Sequence, residues 1–121
     1  MKVLFIGDIV GKSSRLKVKE SLTNLKQKYK PDAIMANAEN ATGGHGLSKK
    51  DAQELLSAGI DVLTLGNHAW DKREMLTFIE ECPQIIRAMN YPSGVPGKGF
   101  YSINLINGKK IIVVQVMLRL F

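Results

Sequence analysis

The chain has 121 residues, of which 45% are hydrophobic and 23% are charged. This composition is typical of a folded globular protein and excludes an intrinsically disordered one, which would be less hydrophobic. The chain has 17 Lys and Arg residues and 11 Asp and Glu residues, so its net charge is +6. This charge is compatible with an anionic ligand such as a nucleotide or RNA. No apolar stretch is long enough to span a bilayer, and the single cysteine, Cys82, has no partner for an internal disulfide, so we expect a cytoplasmic location. Two glutamates precede Cys82 and should raise the pKa of its thiol, which favours a structural role over a catalytic one.

Three strand–helix units are predicted in the first two thirds of the chain. Short apolar runs at 2–7, 33–37 and 60–66 are typical of buried parallel strands. Helical spacing of apolar residues predicts helices over 13–29, 49–58 and 71–81. Pro31 closes the first helix, Ser48 caps the second, and Gly59 ends it. This alternation predicts an α/β fold with a parallel sheet.

The pattern changes after Pro83. A short strand is predicted over 85–90 and a loop over 91–99, followed by a hairpin whose turn carries Asn107 and Gly108. The last strand, 111–116, has the apolar character of a strand buried on both faces, but few residues follow that could cover it. We therefore expect an incomplete fold with an open sheet, and an open sheet favours self-association.

Polar side chains follow each of the three predicted parallel strands. They are Asp8 after the first, Glu39 and Asn40 after the second, and Asn67 and His68 after the third. Any one of them alone would be interpreted as a helix cap or turn former. Because the carboxyl ends of parallel strands share one edge, we expect all three clusters to meet there. This mixed oxygen and nitrogen set suits Mn²⁺, Fe²⁺ or Zn²⁺.

The adjacent Asn67 and His68 suggest a division of labour at the exit of the third strand. Asn67 is predicted to coordinate a metal, and His68 to reach the ligand bound to it. On a phosphate ester, a metal activates water, and an imidazolium can protonate the leaving alkoxide. His68 is therefore the candidate catalytic acid.

The segment GDIVGKS, residues 7–13, is similar to a phosphate-binding P-loop but has the wrong spacing. That motif needs four residues between its first glycine and Gly-Lys-Ser, whereas three separate Gly7 from Gly11. A nucleoside triphosphatase is therefore disfavoured. Gly11 and the amides that begin the first helix are still candidates for binding a substrate phosphate.

Read together, the segments GDIVGKSSR, NAENATGGHG and TLGNHAWDKRE resemble the YmdB-like branch of the calcineurin-like metallophosphoesterases. The resemblance runs in order from Met1 to about Val116. It implies a layered α/β/β/α sandwich and two divalent metal ions, iron or manganese. It also implies a phosphodiesterase activity on 2′,3′-cyclic nucleotides in the bacterial cytoplasm.

The resemblance also implies a role for each strand-end residue. Asp8 would bind one metal, Glu39 would bridge both, and Asn67 would bind the second. Asn40 would be a further polar group beside the metals, and His68 the proton donor. Glu39 occupies the position where the broader superfamily bridges its metals with an aspartate.

Such enzymes take further histidine ligands from their second half, whereas this chain has only His45 and His68. His45 lies in a glycine-rich loop and is interpreted as substrate-facing or structural. We therefore expect residues 1–121 to form a single incomplete domain, the N-terminal half of such an enzyme, weakly active or inactive alone. The alternative is a binding or self-assembly module without catalysis, and RNA binding through the lysines at 12–30 is a weaker possibility.

Overall fold

Four parallel strands form the central sheet of the computed structural model, which describes residues 1–118. Three helices and an antiparallel hairpin complete the described part. In chain order the elements are β1 (Val3–Ile6), α1 (Gly11–Tyr29), β2 (Ala33–Asn37), α2 (Lys49–Ser57), β3 (Val62–Thr64), α3 (Met75–Glu81), β4 (Ile85–Ile86), β5 (Phe100–Asn104) and β6 (Lys110–Val114).

The strand order β1-β2-β3-β4 follows the sequence, and every neighbouring pair is parallel. The predicted parallel sheet is therefore confirmed. Ile6 is in register with Ala36, and Asn37 with Thr64, so the first three strands end close to one another. That shared edge brings together the loops that follow the strands.

One face of the sheet is covered by the helices. Leu22 of α1, Leu55 of α2 and Ile79 of α3 are almost completely buried in one cluster with sheet residues such as Ile34 and Leu63. A cluster this size removes a large apolar area from water and is the main source of stability for the fold. The helix face is the principal core.

The hairpin covers the opposite face. β5 and β6 pair antiparallel around the predicted turn, where Gly108 has a φ of +77° that favours glycine. Ile111 and Val113 pack against Met35, Val62 and Ile86. The described residues thus form three layers in the order α/β/β, in agreement with the fold class expected from the sequence.

β6 is covered on one face only, which agrees with the expectation of an open sheet. Ile111 and Val113 are each 8% exposed, whereas the alternating residues Ile112 and Val114 are 63% and 48% exposed. The hairpin turns one face toward the parallel sheet, and nothing in residues 1–118 covers the other. Alternate residues of β6 therefore face solvent.

Two helix boundaries also differ from expectation. α1 begins at Gly11, two residues before the predicted start, and α3 begins at Met75, four residues after it. The segment before α3 forms turns instead, in which the Ala69 amide donates to the Gly66 carbonyl at 3.3 Å and the Asp71 amide to the His68 carbonyl at 3.3 Å. No helix in the described range has the length and hydrophobicity needed to cross a membrane.

Candidate metal centre at the carboxyl edge of the sheet

Asp8 and Asn40 meet at the end of β1. The Nδ2 of Asn40 donates to both carboxylate oxygens of Asp8, at 3.1 and 2.9 Å. The main-chain carbonyl of Asn40 accepts a hydrogen bond from the Gly11 amide at 3.0 Å, where α1 begins. One residue therefore connects the loop after β2 to both the carboxylate and the first helix.

Glu39 lies against the exit of β3. Its Oε2 accepts from the His68 amide at 3.2 Å, and its Oε1 accepts from the Asn37 Nδ2 at 3.4 Å. A Cβ at Gly66 would come within 2.6 and 2.7 Å of the two carboxylate oxygens, so the glycine is needed for the close approach. The predicted convergence of Glu39 with the Asn67–His68 segment is present in the structure.

Tyr91 supports the same turn, although no sequence pattern singled it out. Its hydroxyl donates to the Gly66 carbonyl at 3.2 Å, and its ring lies 6.0 Å from that of Trp70. Burial raises the pKa of Tyr91, and the negative charge of Glu39 raises it further. The phenol therefore remains a protonated donor at neutral pH.

Asn67 and His68 follow in the turn beyond β3. Asn67 is exposed, and His68 is partly buried. The Nδ1 of His68 lies 2.7 Å from Oδ2 of Asp71, a residue the sequence reasoning also missed. A carboxylate bonded to one ring nitrogen fixes the orientation of the imidazole.

His45 lies beside His68, with 5.4 Å between the two ring centroids. Its loop is braced by Asp51, which is only 7% exposed. Asp51 contacts the Nη2 of Arg15 at 2.9 Å and accepts from the Thr42 hydroxyl at 2.6 Å. Arg15 also donates to the Ala41 carbonyl, so α1 and α2 together fix the start of the glycine-rich loop.

The Gly11 amide was expected to bind phosphate, but in the structure it has a different partner. The Gly11 amide is already bonded to the Asn40 carbonyl. The helix that follows has no side-chain cap at Val10 and no acidic residue in its first turn. The following amides of α1 are therefore the ones that remain candidates for an anion.

The donor set fits divalent metal ions of the kind the sequence predicts. Oxygen ligands would come from the carboxylates of Asp8 and Glu39 and from the amide side chains of Asn40 and Asn67, which follow β1, β2 and β3 in the chain. The buried Oδ1 of Asn37 has no hydrogen-bond partner in the described residues and adds an unpaired oxygen beside Glu39. Oxygen ligands with a nearby imidazole are compatible with Mn²⁺ or Fe²⁺.

The sequence profile of the family described as YmdB-like protein matches residues 4–121. The chain belongs to this family. The resemblance proposed from the three motifs is therefore confirmed, and the match covers the hairpin and all of the central sheet except Val3.

The chain is similar to a named bacterial protein and to two solved structures. The chain is 45% identical over its full length to a Bacillus subtilis (strain 168) protein named 2′,3′-cyclic-nucleotide 2′-phosphodiesterase. A crystal structure of a hypothetical protein from Thermus thermophilus matches 98% of the chain with a TM-score of 0.89 and 40% identity. A crystal structure of a novel phosphatase from Mycoplasma pneumoniae matches 96% of the chain with a TM-score of 0.86 and 33% identity.

The chain spans less than half the length of these relatives. It covers 46% of the Bacillus protein, 46% of the Thermus structure and 42% of the Mycoplasma structure. One of these relatives is named a phosphodiesterase, and another is titled a phosphatase.

Proposed function

We propose that this chain carries the metal-binding residues of a phosphodiesterase that acts on cyclic nucleotides or related phosphodiesters. The observation that supports this best is the position of Glu39, held between the Gly66 turn and the His68 amide. A carboxylate kept at a strand exit, next to an amide and an imidazole, suits metal-assisted hydrolysis. The name of the Bacillus relative supports a small cyclic phosphodiester as the substrate.

In this proposal Asp8 would hold one metal and Asn67 the second, Glu39 would be shared by both, and Asn40 would lie beside them. When bound, two divalent ions, iron or manganese, would supply Lewis-acid activation of the phosphate ester and of water. Asn40 holds the Asp8 carboxylate through both oxygens, which limits its rotation. The chain therefore orients its ligands before a substrate arrives.

His68 is the proposed proton donor to the leaving alkoxide. Asp71 engages Nδ1, which leaves Nε2 as the ring nitrogen available for proton transfer. The amides that begin α1, just beyond Gly11, and the exposed ring of His45 are proposed to contact the phosphate and the nucleoside. Catalysis by such an acid contributes about 10²- to 10⁴-fold to a rate.

We expect little turnover from this chain alone. Four side chains, Asp8, Glu39, Asn40 and Asn67, cannot complete two metal sites, since each ion takes about four to six ligands. One ion should bind more weakly than the other. The proposal therefore concerns metal binding first and hydrolysis second.

The single unpaired cysteine supports a reducing compartment, so we place the protein in the cytoplasm.

The test is metal content per chain by elemental analysis, after purification with Mn²⁺ or Fe²⁺. Asp8→Ala and Glu39→Ala should each lose bound metal, whereas Glu20→Ala, an exposed carboxylate on α1, should retain it. If the wild-type chain binds neither ion, or if the two variants retain it, the proposal is wrong. Hydrolysis of 2′,3′-cyclic AMP is then assayed with metal-loaded protein. His68→Ala should lower any rate without reducing the Mn²⁺ or Fe²⁺ held by the strand-end residues.

A second candidate function, self-assembly without catalysis, is favoured by exposed apolar side chains on the sheets. Val3 and Phe5 of β1 are 45% and 56% exposed, and β6 adds Ile112 and Val114. An uncovered strand edge with apolar neighbours favours pairing with a second copy. Analytical ultracentrifugation tests this, and a monomer throughout the micromolar range would rule it out.

RNA binding through α1 remains a weaker prediction. Arg15 and Lys19 both contact acidic residues of α2, and the Lys19 ammonium lowers the pKa of Glu54. Fewer cations are therefore free than the sequence suggests. An affinity for RNA that falls steeply with added salt would support this role.

A further inference from the structure

Three side chains that could bind a metal converge outside the carboxylate and amide group described above. The ligand atoms of His45, His68 and Asp71 all lie within 4.8 Å of one another. Among the described residues this is the one group of three or more His, Cys, Asp or Glu side chains with such spacing. All three are at least partly exposed, so an ion could reach them from solvent.

The backbone holds the two contributing loops in contact. A Cβ at Gly46 would lie 3.1 Å from the Asp71 Cβ and 3.1 Å from the Lys72 amide, so glycine permits this approach. Gly46 has a φ of +75°, which also favours glycine. Its carbonyl accepts from the Thr42 amide at 2.9 Å, and the His45 amide donates to the Thr42 carbonyl at 3.3 Å. The position of His45 is therefore set by a hydrogen-bonded turn.

The chemistry of the three ligands selects among metals. Two imidazoles and one carboxylate suit Zn²⁺, which takes nitrogen and oxygen ligands in tetrahedral sites. Mg²⁺ and Ca²⁺ prefer oxygen ligands alone. Zn–N bonds of about 2.0 to 2.1 Å place tetrahedral ligand atoms about 3.4 Å apart. The three ligand atoms, which lie within 4.8 Å of one another, would adjust to that spacing on binding.

We propose that His45, His68 and Asp71 bind one Zn²⁺ ion at a site separate from the Asp8 and Glu39 carboxylates. Three protein ligands leave the fourth tetrahedral position for water or a phosphate oxygen. Zinc bound to His68 would prevent that ring from becoming the imidazolium that the proposed proton donation uses. That last consequence rests on the proposed function, whereas the zinc site does not.

The test is equilibrium dialysis of the full chain against ZnCl₂ at pH 7.5. The wild-type chain should bind one Zn²⁺ through this site. His45→Gln should weaken binding at least about tenfold, since even indirect partners of metal ligands change affinity by about 10- to 100-fold. Asp71→Asn should weaken binding as well. Glu20→Gln removes an exposed carboxylate on α1 and should leave the affinity unchanged.

Asp8→Asn separates this site from the proposed catalytic centre. If zinc binding is unchanged in Asp8→Asn and lost in His45→Gln, the ion sits on the histidine group, whether or not the strand-end carboxylates bind Mn²⁺. If binding is lost in Asp8→Asn and kept in His45→Gln, the ion belongs to the strand-end group and the inference is wrong. A wild-type chain that binds no zinc also overturns it. Circular dichroism checks that each variant is folded.

Discussion

The two faces of the parallel sheet are covered to different degrees. On the helix face, Leu63 and Ile85 are 0% and 1% exposed beneath three helices. On the hairpin face, Ile111 and Val113 are each 8% exposed, and Phe5 at the sheet edge is 56% exposed. The register pairs Phe5 with Met35, so its side chain lies on the face that the hairpin covers only in part. The helix face should therefore provide most of the stability, and the hairpin face most of the capacity for association.

The largest effect is expected for Leu63→Ala. The side chain is fully buried between β3 and the helices, and its truncation leaves a cavity there. We expect the free energy of unfolding to fall by about 2 to 5 kcal/mol, measured by urea denaturation. A loss below about 1 kcal/mol would show that the helix face is less tightly packed than its burial indicates.

A matched pair of substitutions compares the two faces directly. Ile85→Val and Ile111→Val remove the same methylene group from the helix face and the hairpin face. Each should lower the free energy of unfolding by about 0.5 to 1.5 kcal/mol, and Ile85→Val should have the larger effect because its surroundings relax less. The same urea experiment measures both. Equal losses in the free energy of unfolding would show that the two faces are equally well packed at these positions.

A smaller effect on stability is expected on the outer side of the hairpin. Ile112 is 63% exposed, so Ile112→Ser should change the free energy of unfolding by no more than about 0.5 kcal/mol. Self-association measured by sedimentation velocity should nevertheless decrease. Leu16→Ser on α1, where the leucine is 44% exposed, is the control and should leave sedimentation unchanged.

The smallest effect concerns Cys82, which packs against the edge of the helix-face core. Burial raises the pKa of its thiol. Alkylation by iodoacetamide should therefore need a higher pH than in a short peptide, and Cys82→Ser should abolish it. Since the unfolded thiol loses its proton first, stability should fall as pH rises above about 8.5. An alkylation midpoint equal to that of the peptide would mean that the core is open at this edge.

Elements with local signals were predicted well from the sequence. The Ser48 side chain accepts from the Asp51 amide at 3.1 Å, as a helix cap should, and Gly59 follows α2 with a φ of +100°. The parallel direction of the strands followed from the alternation of apolar runs and helices. The raised pKa of Cys82 was also expected, although burial is its main cause and not the neighbouring glutamates.

Features that depend on tertiary contacts could not be predicted. Tyr91 donates to Gly66 across 25 residues, and no pattern around Tyr91 indicates that partner. The late start of α3 has a similar origin, because the turn from Gly66 to Asp71 serves the contacts of Glu39 and His68. Which face of β6 is buried depends on how the hairpin packs on Met35, Val62 and Ile86, and the apolar sequence of β6 does not indicate that.

The ribosome synthesises the hairpin after the sheet face that the hairpin covers. β5 and β6 are joined by a short turn and can pair within about 1 to 10 μs. The sheet face they cover, with Met35 and Val62, is synthesised earlier and stays uncovered until the hairpin follows. Translation at about 5 to 20 residues per second makes that interval a matter of seconds. During synthesis, aggregation would therefore begin at this face before the hairpin can protect it.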